Sequence, residues 1–324
     1  MSRATTAVFV FGILGVVIAS PQSVTVTSSA VAISGRPAAG ISEPPTVFRS
    51  TAREVNQIFT VQDHSGHPIP DLRRNDFAIQ DSGKEVTEVA VFQQQTETPL
   101  HIAVAIDLSG SVSSRVKYEA EVSTKFLQRV LRPGDQGSII GFNYRTYVIE
   151  DLPHARDNIL AIHHREPKAA TAFYDTVAVA SARLTAAGGD TNHRDVLIVI
   201  TDGVDNASRT KFHDALHAAL RSGVIVLVLY TGSATSTTEL RKLADMTGGQ
   251  FFYTFTVGGV LKGLEKAEQA IRGQYLLAYR PADFQADGRF RQIDIRPLRK
   301  GLKVRCRKGY FAVEQPLAQS QTLR

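Results

Sequence analysis

The sequence lacks the residues and patterns that mark several common classes of protein. Its 324 residues include a single cysteine, Cys306, so the chain can form neither an intramolecular disulfide nor a four-cysteine zinc site. It contains no P-loop and no G-x-G-x-x-G sequence, so no motif supports nucleotide binding. It also lacks the G-x-S-x-G turn that presents a nucleophilic serine. Apolar runs long enough to cross a membrane are absent, which excludes a polytopic membrane protein.

The excess of positive charge is confined to one short region. The chain has 37 basic and 31 acidic side chains, a net charge of +6, and residues 281–310 alone contain nine basic and three acidic ones. Alternation in the last strand of this region predicts that Lys303, Arg305 and Arg307 lie on the solvent face of a sheet, and a polyanion-binding surface is the alternative. Because charge is balanced elsewhere, we expect no nucleic-acid partner.

The N-terminus has the pattern of a secretory signal segment. Arg3 precedes an uncharged run from Ala7 to Ala19, which is shorter than the roughly 20 residues needed to span a bilayer. Cleavage after Ala19 would give a signal peptide of residues 1–19, and an uncleaved membrane anchor is the alternative. In either case we expect the rest of the chain to be exported, to the periplasm, the cell surface or the medium.

The rest of the sequence consists of a central part between two flanks. Residues 20–46 are rich in Ser, Ala, Pro and Gly and are predicted to be a linker. The flanks, 47–97 and 273–314, have only short strand-like runs, and we expect them to pair into one all-β unit. In the central part, 98–272, continuous apolar strands alternate with amphipathic helical segments. This predicts an α/β fold with a doubly wound, mostly parallel sheet, beside a flanking all-β unit. Residues 315–324 are predicted to be a tail.

The predicted elements of the central part can be given by their bounds. The strands are predicted at 101–106, 137–142, 196–201, 223–230 and 249–255, and helical segments include 114–131, 172–186, 211–222, 238–246 and 260–272. In the C-terminal flank the predicted strands are 274–279, 290–296 and 302–311.

Oxygen-bearing side chains follow two of the predicted central strands. Asp107, Ser109 and Ser111 form an Asp-x-Ser-x-Ser turn after the first strand, and Asp202 follows a later one. Thr171 stands at the start of a helix between them. Ligands of an open parallel sheet bind beyond the carboxyl ends of its strands, so we expect these side chains to meet there. Carboxylates and hydroxyls suit Mg²⁺, Mn²⁺ or Ca²⁺ rather than metals that prefer thiolate or imidazole.

These and neighbouring residues have simpler alternative roles. The hydroxyls can cap helices or close turns, and the two carboxylates can end strands without a metal. Asp205 either supports a ligand or is a solvated turn residue. His64 and His67 lack the further ligands that a zinc site needs. His163 and His164 are adjacent, so they cannot share a helix face, and we expect both to be solvated.

The ordered combination resembles the von Willebrand factor type A domain and its metal-ion-dependent adhesion site. The family's DxSxS matches Asp107, Ser109 and Ser111, its loop threonine matches Thr171, and its TDG aspartate matches Asp202. The resemblance spans about residues 99–272. It implies that these side chains hold a divalent cation, Mg²⁺ first and Mn²⁺ or Ca²⁺ as alternatives, with one position left for an acidic group of a partner protein.

The flanking segments extend this resemblance. Residues 63–81 and 302–311 are similar to segments of bacterial von Willebrand factor A-related proteins of an acidobacterial type. We therefore expect an exported, non-enzymatic binding or adhesion protein whose cation holds an acidic side chain of a protein partner. Two alternatives stay open: a metal-dependent hydrolase in which the ion polarises an ester or phosphoryl group, and a metal-free structural module of an envelope assembly. No positioned general base is visible near the motif, which argues against the hydrolase.

Overall fold

The structure is a computed structural model, and it describes residues 54–94, 98–166, 170–187, 193–203, 205–233 and 237–313. The predicted signal segment, linker and tail lie outside these residues. The strands, in chain order, are β1 (Val55–Gln62), β2 (Phe77–Asp81), β3 (Lys84–Glu85), β4 (Val89–Gln94), β5 (Leu100–Asp107), β6 (Gln136–Phe142), β7 (Thr146–Ile149), β8 (Arg194–Thr201), β9 (Ile225–Tyr230), β10 (Phe251–Tyr253), β11 (Gln274–Tyr279), β12 (Phe290–Pro297), β13 (Lys303–Cys306) and β14 (Gly309–Phe311).

Six α-helices accompany these strands in the described residues. They are α1 (Val116–Val130), α2 (Ala155–Arg165), α3 (Phe173–Ala187), α4 (Phe212–Ser222), α5 (Thr238–Met246) and α6 (Val257–Arg272). None of these helices has the length and apolar character that crossing a membrane requires.

The central sheet has six strands in the order β10-β9-β8-β5-β6-β7. All neighbours are parallel except β7, which runs antiparallel to β6. Successive side chains of a strand point to opposite faces, so the residues of β5 divide between two cores. Ile102, Val104 and Ile106 pack on the side of α1, α2 and α6. Ala103 and Ala105 pack on the side of α3, α4 and α5. Helices thus cover both faces, which confirms the predicted doubly wound, mostly parallel α/β fold.

The two flanks form a pair of antiparallel sheets around a third core. One sheet has the order β13-β1-β11-β4 and the other β14-β12-β2-β3, so each contains strands from both flanks. Phe59 of β1 lies opposite Tyr275 of β11, and both rings are buried with Phe77 and Ile295 from the second sheet. This confirms the predicted all-β unit built from the N-terminal and C-terminal segments.

The C-terminal flank departs from the predicted pattern. The segment predicted as one strand, 302–311, is divided into β13 and β14, which belong to different sheets. Lys303 is exposed as expected, but Arg305 lies 3.8 Å from Asp245, and the Arg307 side chain donates a 2.8 Å hydrogen bond to Gln57 Oε1. The solvent face predicted for these two arginines is therefore wrong, because α5 contacts β13 and covers them.

Strand β7 and helix α2 were not among the predicted elements. The strand is only half-buried, with one fully buried residue, so its apolar signal is weak. The inner face of α2 consists of Ala155, Ile159 and His163, spaced four residues apart. His163 is 5% exposed, so the expectation that it is solvated is wrong, whereas His164 is exposed.

Candidate metal centre at the carboxyl end of the central sheet

The candidate site begins at Asp107, the last residue of β5. The Asp107 side chain is fully buried, and its two oxygens accept hydrogen bonds of 2.9 Å from the Ser109 amide and 2.7 Å from the Thr201 hydroxyl. Burial raises the pKa of Asp107, while the hydrogen bonds from Thr201 and Ser109 oppose that rise. The carboxylate is therefore fixed in position at the edge of the sheet.

Two serines connect Asp107 to the aspartate after β8. The Ser109 and Ser111 hydroxyl oxygens lie 3.2 Å apart, and the Ser111 hydroxyl donates a 2.8 Å hydrogen bond to Asp202 Oδ1. The strands β5 and β8 are parallel neighbours, so their carboxyl ends meet at this edge. Four of the five predicted ligands are thus brought together in one connected group.

The fifth predicted ligand, Thr171, lies just before α3 on the neighbouring loop. Its amide donates a 2.7 Å hydrogen bond to Asn206 Oδ1, and its carbonyl accepts a 3.0 Å hydrogen bond from the Asn206 amide. A Cβ atom placed on Gly203 would lie 3.7 Å from the Thr171 hydroxyl oxygen. Thr171 therefore stands beside the segment that bears Asp202.

Asp205 fixes the two loops to each other. Its carboxylate accepts hydrogen bonds of 2.9 Å from the Tyr174 amide and 3.1 Å from the Ser208 amide, and the Ser208 hydroxyl also donates to it. Of the two roles considered for Asp205, the contacts correspond to support of a candidate ligand. The loop that bears Thr171 is held at the start of α3 by this carboxylate.

Two residues of the site were missed by sequence reasoning. Arg115 donates 2.9 Å hydrogen bonds to Asp202 Oδ2 and to the Thr231 carbonyl. Glu119, one helical turn later, lies 3.7 Å from the Arg115 guanidinium and is 1% exposed. Its position on the apolar face of α1, between Val116 and Ala120, was the signal that could have identified it.

The Glu119 carboxyl has an unusual electrostatic setting. Burial raises the pKa of Glu119 to about 7, Arg115 opposes this, and the charges of Asp107 and Asp202 add to it. The site therefore contains three carboxyl groups and one guanidinium. Only Asp107 and Asp202 belong to the predicted ligand set, in which every donor is an oxygen, and this donor chemistry fits a hard divalent cation.

Comparison with known proteins identifies the family. The model of the von Willebrand factor type A domain matches residues 101–267. The chain belongs to the von Willebrand factor type A family. Domains of this family are typically binding modules that mediate contacts between proteins. The calcium-activated chloride channel regulator 1 of Bos taurus is 26% identical over 162 residues, which cover 47% of this chain and 17% of that protein. The chain thus matches a small part of this curated relative.

Solved structures with similar folds include other type A proteins. The von Willebrand factor type A protein from Catenulispora acidiphila has 15% sequence identity and a TM-score of 0.46, with 75% of each chain covered. The proximal thread matrix protein 1 from the mussel byssus, with a zinc-occupied MIDAS motif, has 16% identity and a TM-score of 0.44, over 59% of this chain and 50% of that one.

Proposed function

We propose that this protein is an exported, non-enzymatic binding or adhesion protein that holds an acidic side chain of a partner protein through a divalent cation. The ligands of the cation would be Asp107, Ser109, Ser111, Thr171 and Asp202, with Mg²⁺ as the first candidate and Mn²⁺ or Ca²⁺ as alternatives. The observation that supports this most directly is the connected group of carboxylate and hydroxyl oxygens at the end of β5 and β8.

The exposure of the ligands supports a docking role. Asp107 is fully buried, whereas Ser111 is exposed and the Asp202 side chain is 12% exposed. The site is therefore closed behind Asp107 and open on the side of Ser111. A divalent cation held by two carboxylates, one of them already paired with Arg115, would keep excess positive charge, which favours an anionic group from a partner.

The surroundings of the site support binding rather than catalysis. Glu119 is a further carboxyl group close to the cluster, but it is 1% exposed and lies 3.7 Å from the Arg115 guanidinium. A general base must come within hydrogen-bond reach of the proton that it removes from a substrate. A side chain buried in this way is poorly placed for such contact with a substrate on the open side.

The proposal includes a division of the chain into a signal segment (1–19), a linker (20–46), an adhesion domain (98–272) between flanks at 47–97 and 273–314, and a tail (315–324). Support comes from the strands that border the central part, because β4 and β11 pair directly, with Gln94 opposite Tyr275. The central part thus leaves and rejoins the flanking unit at neighbouring positions.

Calorimetric titration of the full chain tests the cation site. The protein is stripped with EDTA and titrated with Mg²⁺, Mn²⁺ and Ca²⁺, beside Asp107→Ala and the control Asp157→Ala, which removes an exposed carboxylate from α2. We expect one saturable site in the wild type and in the control, and its loss in Asp107→Ala, with circular dichroism confirming the fold of each. Cation binding that survives in folded Asp107→Ala would contradict the proposal.

A metal-free structural module is the second candidate function. The contact that favours it is the 2.9 Å hydrogen bond between Arg115 and Asp202, because the guanidinium already supplies positive charge to this carboxylate. The same titration separates the two candidates. A folded, stripped chain that binds none of the three cations would favour the structural module.

A further inference from the structure

A second group of metal-binding side chains lies at the opposite, amino end of the central sheet. His101 of β5 is the direct neighbour of Asp195 in the parallel pairing of β5 with β8. His193 precedes Asp195 by two residues, so the extended chain places both on the same face. The register of two adjacent strands therefore brings two imidazoles and one carboxylate together.

The distances within this group correspond to those of a zinc site. His101 Nδ1 lies 3.5 Å from Asp195 Oδ1, and His193 Nε2 lies 3.3 Å from Asp195 Oδ2. The candidate ligand atoms of all three residues lie within 4.8 Å of one another. When nitrogen and oxygen ligands surround Zn²⁺ tetrahedrally at about 2.0–2.1 Å, neighbouring ligand atoms are about 3.3 Å apart.

Two buried polar atoms of the group lack a hydrogen bond. His101 is 5% exposed and Asp195 is 8% exposed. Within the described parts of the chain, neither His101 Nδ1 nor Asp195 Oδ1 has a hydrogen-bond partner. Buried polar atoms are normally satisfied, and a cation between these two would satisfy both.

The adjacent arginine does not occupy this position. Arg194 stands between His193 and Asp195 in the sequence, so its side chain points to the opposite face of the strand. There it donates hydrogen bonds to the Ile271 carbonyl and to Gln274 Oε1, at 2.9 and 3.1 Å. Its guanidinium is therefore engaged away from the two histidines.

We propose that His101, His193 and Asp195 bind a zinc-type divalent ion, separate from the cation site at the carboxyl end. Imidazole ligands favour zinc and related transition metals over Mg²⁺ or Ca²⁺. Three protein ligands leave one position of a tetrahedral ion open. His101 also lines a cleft of about 360 Å³, together with Glu150 and Arg183, and this cleft gives the ion a path to solvent.

The test uses the full chain without a polyhistidine tag, stripped of metal and held in saturating Mg²⁺. Zn²⁺ is titrated calorimetrically, and Co²⁺ is added in parallel because its visible absorption reports tetrahedral nitrogen and oxygen ligands. We expect one equivalent of each metal and the absorption of tetrahedral Co²⁺. We expect His193→Gln and Asp195→Asn to weaken zinc binding by at least about tenfold.

Two control variants assign the ion to this group. His213→Gln removes one member of the histidine pair on α4, whose ring centroids lie 3.8 Å apart, and Asp107→Asn alters the other candidate site. Zinc binding should persist in both. Loss of the cobalt spectrum in either control, or an unchanged zinc affinity in folded His193→Gln and Asp195→Asn, would overturn the proposal, as would a folded wild-type chain that binds no zinc.

Discussion

The two ends of the central sheet present different chemistry on the same pair of strands. At the carboxyl end, Asp107 and Asp202 follow β5 and β8 and are surrounded by hydroxyl groups. At the amino end, the same strands bring His101 and Asp195 together, with His193 beside them. The comparison shows that a parallel pair can supply ligands at either end, and that the residue types decide which cations each end suits.

The largest expected effect comes from removing one ligand at each end in turn. Asp107→Ala should weaken Mg²⁺ binding by at least about 100-fold while leaving zinc affinity within about twofold. Asp195→Asn should have the reverse effect. Calorimetry of both variants with both metals checks this double dissociation. If either variant lowers the affinity for both metals in a folded protein, the two ends are not independent.

A smaller effect is expected from the buried carboxyl behind the oxygen cluster. Glu119 has a pKa of about 7 in the folded chain against an ordinary value of 4.5. Between these values the unfolded chain releases the proton and the folded chain keeps it, so stability falls as pH rises from 4.5 to about 7. Glu119→Gln should therefore stabilise the metal-free protein by on the order of 2 kcal/mol at pH 8.

Urea unfolding at two pH values measures this effect. The stabilisation by Glu119→Gln should be present at about pH 8 and disappear at about pH 4, where the carboxyl is protonated in both states. Glu121→Gln is the matched control on α1, because Lys125 holds the pKa of the exposed Glu121 below its usual range. An equal effect of Glu119→Gln at both pH values would show that its ionisation is not the cause.

Arg115 should modulate the carboxyl end by roughly one order of magnitude. Arg115→Ala removes a guanidinium that binds Asp202 at 2.9 Å, so the freed carboxylate should bind Mg²⁺ about tenfold more tightly. Lys117→Ala makes the same change of charge at an exposed position on the same helix and should have little effect. A weaker affinity in Arg115→Ala would indicate that Arg115 positions Asp202 for the cation.

The smallest expected effect concerns the loops beside Thr171. Ser208→Ala removes a hydroxyl that donates to Asp205 and accepts a 2.9 Å hydrogen bond from the Asp175 amide. We expect a loss of about 1 kcal/mol of stability, measured by urea unfolding, with zinc binding at the amino end unchanged. A change in zinc affinity would show that the two ends are coupled through α3.

The central strands and the main ligand motif could be predicted because their signals are local. The apolar run of β5 predicts a buried strand, and Asp107 follows it directly in the sequence. Strand β7 and helix α2 were missed because few of their residues are buried, so the periodic signal is weak. The positions of local motifs were therefore more predictable than the elements at the edge of the sheet.

The remaining site features depend on contacts between distant segments. Arg115 and Asp202 are 87 residues apart, and their contact requires both the rotation of α1 and the position of β8. The pairing of His101 with Asp195 depends on strand order and register, which the sequence does not state. Such groups become visible only when the sheet is assembled.

The pairing of β4 with β11 has a mechanical consequence for a protein that holds a partner. Gln94 and Tyr275 lie opposite each other at the two junctions of the central part, with their Cα atoms about 5 Å apart. A pulling force applied along the chain from β1 to β14 would be borne by hydrogen bonds within the two flanking sheets. The 180 residues between Gln94 and Tyr275 would stay outside that load path, so tension on the chain would leave the geometry of the cation ligands undisturbed.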